Sequence, residues 1–314
     1  MEQCECSVVV VQYNSMWDKV KRTLNSIINQ KDCNFEIVIA DDGSKDTLFD
    51  EIEKYFKEKQ FLKYQFVENM QNVGTVKNII SGIEVATGKY VRVIAPGDML
   101  YSDTTLRRIV EFMNQNNAKE VFGRMAFFEY KDDRIDVLPL QVPFDVGPYQ
   151  RHDIRNIKKH LLVLGDNISG ASYTWDREYY LECLMRISGQ VVYLEDCVNA
   201  YTVYDKHEIY FIDEFVTWYE HGTGISTSKN KKWTTLLIKD WLSFLKEMDR
   251  RYPNDTYKKK AYLYYHMSER GVIFNKIIKN LLFLTRYLYN CFMSKRVEYT
   301  VQEQIDKKNI EKYY

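Results

Sequence analysis

Short apolar runs alternate along this chain with longer segments in which apolar residues recur every third or fourth position. The runs Cys6 to Tyr13 (CSVVVVQY), Phe35 to Ala40 (FEIVIA), Tyr64 to Val67 and Tyr90 to Ala95 are rich in Val, Ile or aromatic residues. They predict β-strands. Between them, Val20, Leu24, Ile27 and Ile28 align within Met16 to Gln30, and Leu48, Ile52, Tyr55 and Phe56 within Thr47 to Lys57. Val76, Ile79, Ile80 and Ile83 do the same within Thr75 to Ala86, and Leu106, Ile109, Val110 and Met113 within Asp103 to Asn116. Each set predicts an amphipathic helix. Such a βαβα rhythm predicts an α/β fold with a mostly parallel sheet covered by helices on both faces.

Val121 to Tyr130 continues the pattern as a further strand. Pro139, Pro143 and Pro148 then crowd into ten residues and mark a loop or crossover. Beyond His152 the sequence predicts a helix around Lys158, a Gly-Ser-rich turn from Gly165 to Ser172 and a helix starting near Asp176. A short strand from Gln190 to Leu194 is expected to end in Glu195-Asp196. After Gly222-Thr223-Gly224 the spacing of Trp233, Leu237, Trp241, Phe244, Leu245 and Met248 is helical, with further helices to about Phe292.

An apolar content of 45% over 314 residues supports a large core without covalent staples. The cysteines, Cys4, Cys6, Cys33, Cys183, Cys197 and Cys291, show neither a CxxC pair nor a metal-ligand repeat, so they are expected to be reduced thiols of a cytoplasmic protein. Glu2 and Glu5 precede the first apolar run, and no uncharged apolar stretch reaches the roughly 18 residues of a span. Neither secretion nor a transmembrane anchor is expected. Net charge is zero, but Lys229 to Tyr314 holds 19 Lys and Arg against 9 Asp and Glu, interleaved with aromatics. That mixture suits an anionic membrane surface, placing the protein peripherally on the inner face of the cell membrane. The alternative is a helical extension that packs its aromatics on the rest of the chain and solvates its basic face. No nucleic-acid partner is expected.

Two turns carry the candidate chemistry. Asp41-Asp42-Gly43-Ser44 follows the FEIVIA strand, and Pro96-Gly97-Asp98 follows YVRVIA. In an open parallel sheet, ligands gather where such strands end. Carboxylates there accept hydrogen bonds from a base or ribose, or hold a hard divalent cation against a diphosphate. Asp-Asp-Gly-Ser is equally an ordinary capping loop, in which Ser44 or Asp46 satisfies free N–H groups at a helix start.

The motif order VVVVQYN, SIINQ, FEIVIADDGSKD, ENMQNVGTVKN, GIEVATGKYVRVIAPGDML and LED resembles the family 2 glycosyltransferases, over roughly Cys6 to Thr227. The resemblance implies the GT-A fold, a Rossmann-like α/β/α sandwich, and an enzyme that transfers a sugar from a nucleotide donor with inversion. It implies that Val11, Gln12 and Tyr13 wall the nucleobase and that Asp41 or Asp42 accepts a base or ribose hydrogen bond. Asn72, Gly74, Lys77 and Asn78 resemble the family's turn near the donor, with Lys77 in place of the more usual Arg. The metal motif departs from the family's Asp-x-Asp-Asp: here it is Ala95-Pro96-Gly97-Asp98, so Asp98 alone is the expected ligand for Mn or Mg.

The resemblance further implies that Asp196, or alternatively Glu195, is the general base that takes the acceptor proton. Plain capping of the next helix is the competing role. His221, before the Gly222 to Thr227 loop, is placed to neutralise the leaving diphosphate, with that loop as a lid. Asp166 to Ser172, with small Ser169, Gly170, Ala171 and Ser172, falls on the acceptor side. The implied organisation is a catalytic domain over 1–228, with a donor half to about 130 and an acceptor half from about 150, then a basic, aromatic helical extension over 229–314. The expected partners are a nucleotide-sugar donor, taken as a UDP-sugar, and a saccharide or lipid-linked saccharide acceptor in cell-surface polysaccharide synthesis. A catalytically silent nucleotide-sugar binder of the same fold is the alternative, motivated by the missing carboxylates at 95 and 97. A nucleotidyltransferase would want glycine and a basic residue after the first strand, where Gln12 to Trp17 has neither.

Overall fold

A computed structural model describes residues 4–132, 134–222, 224, 231–269, 273–293 and 304–313. The apolar runs form β1 (Cys6–Gln12), β2 (Phe35–Asp41), β3 (Tyr64–Glu68) and β4 (Tyr90–Ile94), and the periodic segments form α1 (Trp17–Ile28), α2 (Phe49–Glu58), α3 (Thr75–Val85) and α4 (Thr105–Asn116). β5 (Met99–Leu100), β6 (Glu120–Lys131), β7 (Arg134–Val137), β8 (Tyr173–Asp176) and β9 (Ile209–Glu220) complete the described sheet. Its order is β3-β2-β1-β4-β8-β6-β9-β5, with β7 on the side of β6. The first four strands run parallel. Further on the sheet is mixed: β8 is antiparallel to β4 and β6, β5 is antiparallel to β9, and β6 and β9 are parallel.

Alternate residues of each central strand feed opposite layers, as a pleat buried on both faces requires. Val8, Val10, Ile37 and Ile39 pack against Leu24 and Ile27 of α1, Ile52 and Phe56 of α2, and Ile109 and Met113 of α4. Val9, Val38, Val91 and Val93 join the other layer. There they meet Val76 and Ile79 of α3, together with residues from α7 (Arg177–Met185), α9 (Lys231–Arg251) and α10 (Thr256–Glu269). This is the expected α/β/α sandwich.

Asp176 caps α7 by accepting from Tyr179 N–H at 3.1 Å, matching the helix start expected there. The proline-rich segment holds short helices α5 (Gly147–Gln150) and α6 (Ile154–Lys158), the latter running into a π-turn at Lys159–Leu164. α8 (Asn199–Tyr204) precedes β9. Gln190 to Leu194 is not the expected strand: it is an irregular segment. The N–H groups of Val192, Tyr193 and Leu194 turn to a side chain of α9 and those of Gln190 and Val191 to the Ile187 carbonyl, leaving no ladder to form.

The basic tail divides. Trp241, Phe244, Leu245 and Met248 of α9 and Ala261 and Tyr265 of α10 are buried in the core they share with the sheet. α11 (Ile273–Leu282) and α12 (Leu284–Met293) instead leave Ile277, Leu281, Leu282, Leu288 and Phe292 more than half exposed. α13 (Lys308–Glu311) returns Ile310 to a small cluster with Met99, Tyr101, Phe128 and Trp218.

Candidate active site

β1 sits between β2 and β4, so the chain crosses to opposite sides of it and leaves a crevice at the carboxyl ends of these strands. Asp41 ends β2 and spends both oxygens on its own turn: Oδ2 accepts from Ser44 N–H at 2.7 Å and Oδ1 from Ser44 Oγ at 2.6 Å. Asp42 reaches across, accepting from Val73 N–H at 2.7 Å and Gly74 N–H at 3.1 Å. Burial raises its carboxyl, and those two N–H bonds oppose the rise. Both aspartates are buried and brace the turns at the rim of the crevice. The rim is tight. Gly43, with φ near +70°, lies so close that a Cβ would stand 2.4 Å from the Gln71 carbonyl carbon.

Val11 is half-buried, and Gln12 is buried with Nε2 donating to the Thr47 carbonyl at 2.5 Å. Its Oε1 is buried with no hydrogen-bond partner among the described residues. Tyr13 is half exposed at the strand end. Asn72 and Lys77 are exposed beside this rim, while Asn78 turns inward and donates to the Ala40 carbonyl at 3.0 Å.

After β4 the chain makes the Ala95 to Asp98 turn, with Asp98 N–H donating to the Ala95 carbonyl at 3.1 Å. Thr23 of α1 fastens it, donating to the Asp98 carbonyl at 2.7 Å and accepting from Gly97 N–H at 3.0 Å. The Asp98 side chain is buried and its Oδ1 accepts from Glu220 N–H at 3.1 Å. No described group holds Oδ2. Burial pushes this carboxyl up to about 7, the Glu220 carboxylate adding to the rise and Lys19 and Arg92 opposing it. Lys19 pairs with Glu220 at 2.8 Å. Gly97 has φ near +107°, and a Cβ there would lie 2.6 Å from Glu220 Oε2, so the position has neither the conformation nor the room for the aspartate that the related motif carries.

A cation here would have Asp98 as its protein ligand. Among the described residues no three His, Cys, Asp or Glu side chains cluster to form a cage. The donor set is all oxygen, which suits Mg or Mn completed by diphosphate oxygens and water. His221, the next residue along β9, points its Nδ1 to within 3.4 Å of Glu129 Oε1. The lid residues Thr223 and Ile225 to Thr227 lie outside the described residues.

The remaining wall is built by Arg92, a residue that its place inside an apolar strand hid from the sequence reading. Fully buried, it donates to the carbonyls of Ala171 at 2.9 Å and Tyr173 at 3.2 Å, to Thr174 Oγ1 at 3.1 Å and to Thr217 Oγ1. Burial lowers its guanidinium to about 10, which leaves it charged. This clasp fixes the short turn Gly170–Ser172, and Gly170 in turn lies against Glu195: a Cβ on it would stand 2.5 Å from Glu195 Oε1. Asp166 of the same loop is a structural anchor. It accepts from Phe144 N–H at 2.6 Å, from the Tyr289 hydroxyl at 2.6 Å and lies 3.2 Å from His160 Nδ1.

Glu195 and Asp196 start a short helical turn, Glu195–Val198. Both side chains are partly open to solvent yet enclosed by protein, and this burial raises both carboxyls above their usual range. Asp196 and then Asp240 push Glu195 further up. Among the described residues no side chain hydrogen-bonds either carboxylate, which leaves them available to a substrate hydroxyl.

The family model described as "Glycosyl transferase family 2" matches residues 7–174, more than half of the chain. The chain belongs to this family. An uncharacterized glycosyltransferase of Haemophilus influenzae is 24% identical over 194 residues, which is 60% of this chain and 74% of that protein. Among solved structures, S. aureus TarS 1-349 in complex with UDP-GlcNAc superposes with a TM-score of 0.59 at 17% identity, over 84% of this chain and 73% of that one. The mannosyltransferase PcManGT of Pyrobaculum calidifontis, in complex with GDP-Man and Mn2+, gives 0.54 at 12% identity, over 100% and 81% of the two chains. Set against the longer crystallised TarS chain, this family 2 chain spans 44% of its length. These likenesses establish the GT-A fold.

Proposed function

We propose that this chain is an inverting glycosyltransferase. It takes a sugar from a nucleoside-diphosphate donor, a UDP-sugar, and attaches it to a hydroxyl of a saccharide or lipid-linked saccharide in the synthesis of a cell-surface polysaccharide. One observation carries the reading: at the carboxyl edge of the sheet, Asp98 offers a carboxylate oxygen free of described partners, while Glu195 and Asp196 offer carboxylates that no described side chain holds. The TarS complex with UDP-GlcNAc supports a UDP-sugar, and the Mn2+ of PcManGT supports a divalent cation.

In the proposed step, Asp196 accepts the proton of the acceptor hydroxyl. The hydroxyl oxygen bonds to the anomeric carbon from the face opposite the diphosphate, the carbon–diphosphate bond breaks, and its electron pair leaves with the nucleotide. A metal at Asp98 would supply charge neutralisation to that leaving group. Arg92 and Gly170 hold the acceptor-side turn against the base, and the buried Gln12 Oε1 suits a base N–H. Titrating the purified chain with UDP, GDP, dTDP and CMP by calorimetry tests the donor class. UDP is expected to bind at least about tenfold tighter than the others, a difference of about 1.4 kcal/mol. Preference for another nucleotide overturns the UDP assignment, and no binding overturns the donor site.

The missing carboxylates at 95 and 97 favour the second reading, a silent nucleotide-sugar binder. Nucleotide binding without sugar transfer to any acceptor would establish it.

A peripheral position on the inner membrane face is proposed through α11 and α12. Residues 270–297 hold six Lys or Arg and no Asp or Glu, and Ile277, Leu281, Leu282, Leu288 and Phe292 among them are exposed. A basic, apolar surface of this kind favours anionic lipid. Among the described residues no helix is long and apolar enough to cross a membrane. Flotation with phosphatidylglycerol-containing vesicles is expected to carry wild type upward and to leave Leu281→Glu/Leu288→Glu behind. Equal flotation of both removes the role of these helices.

A further inference from the structure

The segment before the base pair has no ladder or helix to hold it. Three successive N–H groups, of Val192, Tyr193 and Leu194, converge instead on one oxygen, Asp240 Oδ2 in α9, at 3.2, 2.6 and 3.2 Å. Asp240 is buried at 5% exposure, and the Tyr193 ring rests edge-on against Trp233 of the same helix with centroids 5.1 Å apart. On its other side the segment is tied to the donor rim. The Val192 carbonyl accepts from Val76 N–H at 3.0 Å, and its side chain fills the place of a Cβ on Gly74, 2.2 Å away. Gly74 N–H is in turn held by Asp42. A continuous set of contacts thus runs from Asp42 through Gly74 and Val192 to Asp240, and the next two residues after Leu194 are Glu195 and Asp196.

We propose that Asp240 is a positioning residue, whose carboxylate fixes the backbone of 192–194 so that the Glu195–Asp196 pair stands at a set place relative to the donor rim. The proposal rests on the assignment of the base to that pair. It makes α9, in what the sequence presents as an extension, a working part of the active site. Three bonds to one ionised oxygen are stronger and more directional than bonds to a neutral amide, so loss of the charge loosens the segment even where shape is kept.

Asp240 also acts electrostatically on Glu195, the neighbour of the base. The titratable groups that act on or are perturbed by the pair are the Tyr173 hydroxyl from β8, the Tyr180 hydroxyl from α7, the Cys197 thiol, the Tyr265 hydroxyl from α10 and Asp240 from α9. Burial raises the phenols and the thiol, so they stay neutral in the working range. Burial raises the Asp240 carboxyl and its three N–H bonds oppose the rise; in its ionised form its negative charge raises a nearby carboxyl. Its removal lowers the pKa of Glu195.

The test compares full-length Asp240→Asn and Asp240→Ala with Asp196→Asn, measuring UDP affinity, kcat and KM. Asp240→Asn keeps the shape, so it serves where the alanine variant fails to fold. The expected result is UDP affinity within twofold of wild type with kcat lower by about tenfold or more. Unchanged kcat in Asp240→Asn overturns the positioning role, whatever happens to the melting temperature. Turnover retained in Asp196→Asn overturns the base assignment itself.

Discussion

Asp196→Asn is expected to lower kcat by roughly three orders of magnitude while UDP affinity stays within about twofold, because the group removed acts on the acceptor proton and not on the donor. The same substitution is expected to leave the melting temperature unchanged or higher. Burial and an acidic neighbour hold the folded-state pKa of this pair above the unfolded carboxylate value of about 4. A carboxyl raised in this way binds its proton more tightly folded than unfolded. Above the unfolded pKa the folded protein therefore gives up stability to keep the pair ionised, and an uncharged amide relieves that cost. The base must be deprotonated to work, so kcat/KM is expected to fall as pH drops through the raised value, on a limb lying above the ordinary carboxylate range. Lost turnover with an undiminished melting temperature separates a base from a structural cap, since losing a cap lowers both.

Asp98→Ala is expected to abolish the tightening of UDP binding by Mn and to reduce affinity in its presence by about tenfold or more, with the metal-free affinity little altered. The carboxylate is held on one oxygen by Glu220 N–H and open on the other, the arrangement of a ligand awaiting a cation. Calorimetry with and without Mn on both proteins reads the effect. UDP affinity indifferent to Mn in wild type points to a metal-free site, in which Lys19, Lys77 or His221 neutralises the diphosphate instead.

Much of the fold is legible in the sequence because it is locally encoded: Val- and Ile-rich runs ending in turns, and helices whose apolar stripes face a sheet. The family motifs then place the two carboxylate turns at the sheet edge. What is not legible depends on contacts distant in sequence. Arg92 looks like an interruption in an apolar strand, yet it clasps carbonyls about eighty residues away. Gln190 to Leu194 has strand-like residues, but its N–H groups find Asp240, and a side-chain acceptor removes the need for a ladder. β9 carries alternating and aromatic residues in IYFIDEFVTWYE, a signal that the sequence reading passed over. Burial divides the aromatics of the tail: Trp241, Phe244 and Tyr265 of α9 and α10 pack on the core, whereas α12 exposes Tyr287 and Phe292 and turns Tyr289 to Asp166.

The most direct measurement is the product itself: NMR of the anomeric proton after wild type and Asp196→Asn are incubated with an α-linked UDP-sugar, Mn and a saccharide acceptor. A β-linked product from wild type and none from Asp196→Asn is the predicted result. An α-linked product, or equal product from both proteins, would contradict an inverting transfer in which Asp196 is the base.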